Sequence, residues 1–160
     1  MVRIIPHKIS IRGGKVERGV EINPSIETPK RFVLVFSDES SLFPWVKPPL
    51  APGATVSAID QSTGMETPYT VPAGHDLVVL CVMVSVNQEV RCRGYIDNQL
   101  VVEDIFEPGH SEAYEIYGPK ISNVDPNLVN NHTIHFTATN LGDYNLYGSL
   151  SLFTREIKVR

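Results

Sequence analysis

Cysteine is scarce: the chain holds Cys81 and Cys92 and no others among 160 residues. Two thiols are too few for a disulfide scaffold or a four-ligand zinc site. Basic charge is also short, with 14 Lys and Arg against 18 Asp and Glu for a net charge of −4. No window gathers enough of it to hold a phosphate backbone by counterion release, so nucleic acid is not expected as a partner. Long apolar runs are missing too. The longest, Leu77 to Val84, covers eight residues, against the roughly 20 that a membrane helix needs, so no membrane partner is expected. No apolar stretch follows Met1, so no secretory leader is expected and the first residues are read as part of the fold. The length leaves room for one domain with an arm, not two full domains.

What the chain does have is period two. Val90, Cys92 and Ile96 alternate with Arg91, Arg93, Tyr95 and Asp97, and Ile134, Phe136 and Ala138 alternate with His135, Thr137 and Thr139. That is the pattern of half-buried antiparallel strands. No window of helical length keeps apolar residues at three and four spacing without a proline or glycine inside it, so the chain reads as all-β. Strands are expected over 54–60, 67–71, 76–86, 89–97, 99–106, 112–117, 132–139 and 146–158. That number fits an antiparallel two-sheet sandwich of jelly-roll type. Turns are expected at Val71-Pro72-Ala73-Gly74, Asp97-Asn98-Gln99, Pro108-Gly109 and Gly118-Pro119. The polar stretch from Lys120 to Asn131 reads as a connecting loop. Leu146, Leu150 and Leu152 share one parity and Ile157 and Val159 the other, which a bulge near Thr154 to Glu156 would reconcile.

Residues 1–53 read as an extended N-terminal arm attached to a sandwich over 54–160. Ile9, Ile11, Val16, Val20 and Ile22 suggest a hairpin around Gly13-Gly14, and Phe32 to Phe36 a third strand. The stretch from Pro44 to Pro52 then packs four prolines into nine residues, which bars ladder bonding and favours an extended path. It is accompanied by Leu42, Phe43, Trp45, Val46 and Leu50, apolar residues that a free linker would not expose, so these five are the candidate partner-binding residues of the arm. A second candidate surface comes from Leu77 to Val86, where alternation fails. Both faces of that strand are therefore expected to be covered, one by the core and one by residues 31–36 or by a second subunit. Val78, Leu80, Val82 and Val84 are its candidate core or oligomer residues, with Val79 and Met83 on the opposite parity.

Catalytic chemistry is poorly supplied. His132 and His135 are three apart, which on a strand sends them to opposite faces, and His7, His75 and His110 lie in separate segments; no metal or cofactor is expected. If Asn87-Gln88 were a two-residue turn, Cys81 and Cys92 would be diagonal neighbours, too far for a good disulfide, so two thiols are expected, as suits a reducing cytoplasm. No Gly-x-Ser-x-Gly elbow is present. Glu103, Asp104 and Glu107 cluster as a solvated strand edge does, and Asn131-His132-Thr133 matches a glycosylation acceptor, a match expected to be chance where no leader is expected. An enzyme with catalytic residues is not expected.

Two segments carry a family likeness. Thr67-Pro68-Tyr69-Thr70-Val71-Pro72-Ala73-Gly74 before an apolar strand, then Gly94-Tyr95-Ile96-Asp97-Asn98-Gln99-Leu100-Val101, resembles the entry strand and first hairpin of small jelly-roll virion proteins of tailed bacteriophages. Thr137 to Gly142 and Gly148 to Leu152 are similar to their closing strands. The likeness covers about 60–160; His75 stands where such proteins often have lysine, and the arm has no counterpart. The resemblance implies a capsid decoration, or cement, protein made in the host cytoplasm and carried on the virion. It would form a homotrimer and bind the major capsid protein or another virion protein, with no catalytic residue. The alternatives are a tail or fibre receptor-binding component and a carbohydrate-binding module using Tyr95, Tyr114, Tyr117, Tyr144 and Tyr147.

Overall fold

The computed structural model describes residues 26–109, 111–115, 120–122 and 132–158, with side-chain surroundings given for 27–109 and 132–158. The elements are β1 (Ile26–Phe36), β2 (Val46–Lys47), β3 (Thr55–Ser57), β4 (Ile59–Asp60), β5 (Tyr69–Thr70) and β6 (His75–Val86), then β7 (Val90–Ile96), β8 (Gln99–Phe106), β9 (Ser111–Glu115), β10 (Lys120–Ser122), β11 (Thr133–Asn140) and β12 (Gly148–Lys158). There is no helix among the described residues. The expected all-β sandwich is what forms. The larger sheet has the order β10-β6-β12-β1-β2, with β4 also on β1 and β9 also on β6. The smaller has the order β3-β11-β7-β8, with β5 also on β11. Every named pairing is antiparallel except β1 with β2.

The core lies between the sheets. Phe32, Leu34 and Phe36 of β1, Val82, Val84 and Val86 of β6, and Leu150 and Leu152 of β12 meet Val90 and Cys92 of β7, Phe106 of β8, and Ile134, Phe136 and Ala138 of β11. Each fully buried Phe, Leu or Val contributes about 1.5–3 kcal/mol relative to exposure. The β7–β8 hairpin closes through Asp97 and Asn98, both left-handed at φ 50° and 68°, the primed geometry whose twist suits a two-residue hairpin.

Six expectations need correction. The boundary at residue 53 is wrong, because β1 is an inner strand of the larger sheet, paired with β12 along its whole length. Its alternating Phe32, Leu34 and Phe36 supply core that residues 54–160 would otherwise lack. The expected strand over 54–60 is two strands in different sheets: β3 pairs with β11 and β4 with β1. Fully buried Ala58 is the corner, its N–H bonded to the Phe136 carbonyl, and only a small side chain fits so near both sheets. Asn87-Gln88 does not close a hairpin, since β6 and β7 belong to different sheets, so Cys81 and Cys92 are not on neighbouring strands.

The expected bulge exists, but on the partner strand. Phe153 pairs with Cys81 and Thr154 with Val79, which leaves Leu80 of β6 as the extra residue. Below it Leu77 and Val79 point into the core, and above it Val82, Val84 and Val86 do. One extra residue reverses the parity of everything beyond it. The unbroken apolar run therefore reflects a change of register rather than two covered faces. Of the four residues singled out, Val82 and Val84 are core, Val78 is half-buried and Leu80 is 37% exposed. Finally, the polar stretch begins with strand residues, as Lys120–Ser122 form β10 against β6. The Gly13-Gly14 hairpin, the Gly118-Pro119 turn and Asn131 lie outside the described residues.

Candidate functional site

The segment from Ser37 to Leu50 doubles back onto its own subunit. Ser37 N–H donates to the Lys47 carbonyl at 2.9 Å, and Leu50 exchanges backbone bonds with Leu146 at 3.1 and 2.8 Å. Val46 pairs in parallel with Val35, and Lys47 Nζ donates to Glu66 at 2.9 Å. These contacts anchor Val46 and Leu50, the latter 6% exposed. Between Ser37 and Lys47 the chain forms a closed loop with Val46 N–H bonded to the Phe43 carbonyl at 3.1 Å. At its tip Leu42 is 61% and Phe43 50% exposed. The Phe43 ring stacks on half-buried Trp45, centroids 4.8 Å apart and planes 14° from parallel. Sequence reasoning thus grouped five residues that serve two purposes: Val46 and Leu50 attach the loop, while Leu42, Phe43 and Trp45 make its outward apolar surface.

Two further apolar surfaces sit elsewhere. Leu80 and Met83 project from the outer face of the larger sheet, and Leu100, Val101 and Ile105 from β8 at the edge of the smaller one. Near β8 an apolar cavity of about 50 Å³ opens between the sheets, lined by Val79, Gly94, Ile96, Val102, Phe136 and Leu152 among others. It has no convergent polar groups.

The outer face of the smaller sheet is polar and was not recognised from sequence as a unit. Pairing sets Arg91, Arg93 and Tyr95 of β7 beside Thr139, Thr137 and His135 of β11, and beside Ile105, Glu103 and Leu100 of β8. Arg93 Nε donates to Glu103, whereas Arg91 Nε stands 3.8 Å from the same oxygen, beyond hydrogen-bond distance. Tyr95 and His135 rings lie 5.6 Å apart, and His135 Nε2 is 2.8 Å from Ser57 Oγ. The two period-two rows were legible; that they adjoin was not, because nothing local in either strand names its partner.

Several other titratable groups are tied down locally. His132 Nδ1 meets Asp97 Oδ2 at 2.7 Å. That bond and the Thr133 N–H hold the Asp97 carboxyl below its ordinary range. His75 Nδ1 lies 3.0 Å from the Ala73 carbonyl. Lys30 pairs with buried Asp60 at 2.7 Å and lies over the Tyr69 ring. Tyr69 donates to Glu156 at 2.8 Å, and burial followed by that carboxylate raises its pKa. Burial pushes the Cys92 thiol up to about 12, with Asp104 adding to it. No three His, Cys, Asp or Glu side chains among the described residues are placed to share a metal ion. Tyr144 and Tyr147 are exposed on the approach to β12, Tyr147 donating to Asp38 at 3.2 Å; the side chains of Tyr114 and Tyr117, and His7 and His110, are outside the described residues. No family model, curated protein or solved structure matches the chain.

Proposed function

We propose that the chain is a non-enzymatic structural protein of a virion, a decoration protein that self-associates as a homotrimer and grips a capsid subunit through the tip of its arm. The observation that carries the reading is the Phe43–Trp45 stack, held half in solvent by a loop whose two ends are fastened to the body. A stiff, pre-positioned aromatic pair loses little entropy on binding and offers a large apolar area.

Strand order supports a jelly roll for the body. Counting β3 to β5 as the second turn of the chain, the sheets run first-eighth-third-sixth (β1, β12, β6, β9) and second-seventh-fourth-fifth (β3 with β5, β11, β7, β8). An order of that kind supports the reading of two Greek keys. Leu80 and Met83 on the outer face of the larger sheet are the self-association surface of this reading; of the candidates Val78, Leu80, Val82 and Val84, it takes Leu80 and leaves Val82 and Val84 to the core.

The test is cosedimentation with empty shells. Burying Phe43 contributes about 1.5–3 kcal/mol, so Phe43→Ala with Trp45→Ala is expected to weaken attachment more than about tenfold while far-ultraviolet circular dichroism stays unchanged. Attachment at wild-type strength would remove the arm from the reading, and a monomer by light scattering at micromolar concentration would remove the trimer.

A further inference from the structure

On the outer face of the smaller sheet two guanidinium groups, Arg91 and Arg93, stand beside the same carboxylate, Glu103. Arg91, Arg93 and Tyr95 occupy successive outward positions of β7, roughly 7 Å apart at strand spacing. Glu103 accepts from Arg93 Nε, so that donor is used. Arg91 Nε is buried and makes no hydrogen bond. Arg91 Nε is thus a donor without a hydrogen-bond partner on a rigid support. Its floor is firm as well: Thr137 and Thr139, beside the two arginines, are each only 7% exposed. At one end of the row stand the Tyr95 and His135 rings, with Ser57 fixing the imidazole, and Leu100, half exposed, lies opposite Tyr95.

We propose that this face binds a carboxylated sugar, its acid group on Arg91 and Arg93 and its pyranose ring against Tyr95 and Leu100. The planar guanidinium fork matches a carboxylate with two parallel N–H bonds. An aromatic ring beside it offers the flat apolar surface that the C–H face of a pyranose needs, and the Ser57–His135 pair can exchange bonds with its hydroxyls. An acidic peptide fits less well. Its main chain would need a free strand edge, and β7 is paired on both sides, with β11 and with β8. A bare anion would use the arginines and leave Tyr95 idle.

Isothermal titration of the full chain with sialyllactose and with trigalacturonate, beside lactose as the neutral sugar and sodium sulfate as the bare anion, tests this. At least one acidic sugar is expected to bind with a Kd below about 1 mM, lactose at least tenfold more weakly, and sulfate at equal concentration is expected not to displace it. Arg91→Gln and Tyr95→Ala should each weaken binding severalfold or more, with unchanged melting temperature. Arg91→Lys keeps the charge, removes the fork and should also weaken it, which covers the case in which the glutamine variant fails to fold. Absence of binding by both acidic sugars, equal binding of lactose, full displacement by sulfate, or wild-type affinity in Arg91→Lys and Tyr95→Ala would each overturn the proposal.

Discussion

Thr154 of β12 stands opposite Val79 of β6, although Phe153, one residue earlier, stands opposite Cys81. The skipped residue, Leu80, turns the strand over, so Val79 at 9% exposure and Val82 at 2% both face the core while Met83 at 48% does not.

The first prediction follows from that reversal. Val79→Asp and Val82→Asp are expected to unfold the domain although they differ in parity, because an unpaired carboxylate in an apolar core costs several kcal/mol, about the whole stability of such a domain. Met83→Asp is expected to leave it folded. Thermal denaturation of the three variants distinguishes this from a simple period-two strand, in which Val79 and Met83 would behave alike.

Asp60 makes the fold acid-sensitive. Burial works to raise its pKa, but the bonds from Lys30 and Ser62 outweigh burial and hold it below the ordinary 3.8. A folded-state value below the unfolded one means that the stabilisation is present above 3.8 and is lost as pH falls through the folded value. Asp60→Asn, which leaves Lys30 beside a neutral amide, is expected to cost about 1–3 kcal/mol near neutral pH. Urea unfolding at about pH 7 and about pH 3 should show the gap to wild type shrinking in acid, and a gap that does not change would contradict the assignment.

Gly148 opens β12 at φ 120°, and an added Cβ would press on the Ser85 carbonyl oxygen. Gly148→Ala is expected to cost at least about 2 kcal/mol, since neither that backbone nor that angle can yield cheaply. At Gly94 a Cβ would meet Val102 Cγ1 at 2.7 Å, a side chain rather than a backbone. Gly94→Ala should therefore cost less in a Val102→Ala background than alone, a coupling that a double-mutant cycle reads directly.

Cys92, with its thiol pushed up to about 12 and 4% exposed, should resist alkylation in the native state. Iodoacetamide labelling followed by mass spectrometry is expected to modify it only at the rate of unfolding. Rapid labelling under native conditions would mean that the sandwich opens near Asp104 and Cys92.

Much of the fold was legible because a strand with one wet face writes its own periodicity. The alternation of Arg91 to Ile96 and of His135 to Thr139 appears in the structure as read, the Asp97-Asn98-Gln99 turn proves to be the two residues Asp97 and Asn98, and the strands over 76–86 and 99–106 fall within one residue of their observed limits. The arm was legible as five apolar residues among prolines, though not that Val46 and Leu50 would be its anchors.

What the chain alone determined is which segments extend, where they turn, and which side of most of them is apolar, since side-chain alternation and turn chemistry are local. Tertiary structure decided the rest. Whether β6 turns to β7 in one sheet or crosses to another, whether the bulge falls on β12 or on its partner at Leu80, and whether Phe32 to Phe36 belong to an arm or to the middle of a sheet all depend on which strand lies opposite. Backbone N–H and C=O groups are the same at every residue except proline, which lacks the N–H. Pairing is therefore chosen by how the whole set of apolar faces closes over one core, and that choice also brings Tyr95 alongside His135 and Arg93 and Arg91 alongside Thr137 and Thr139.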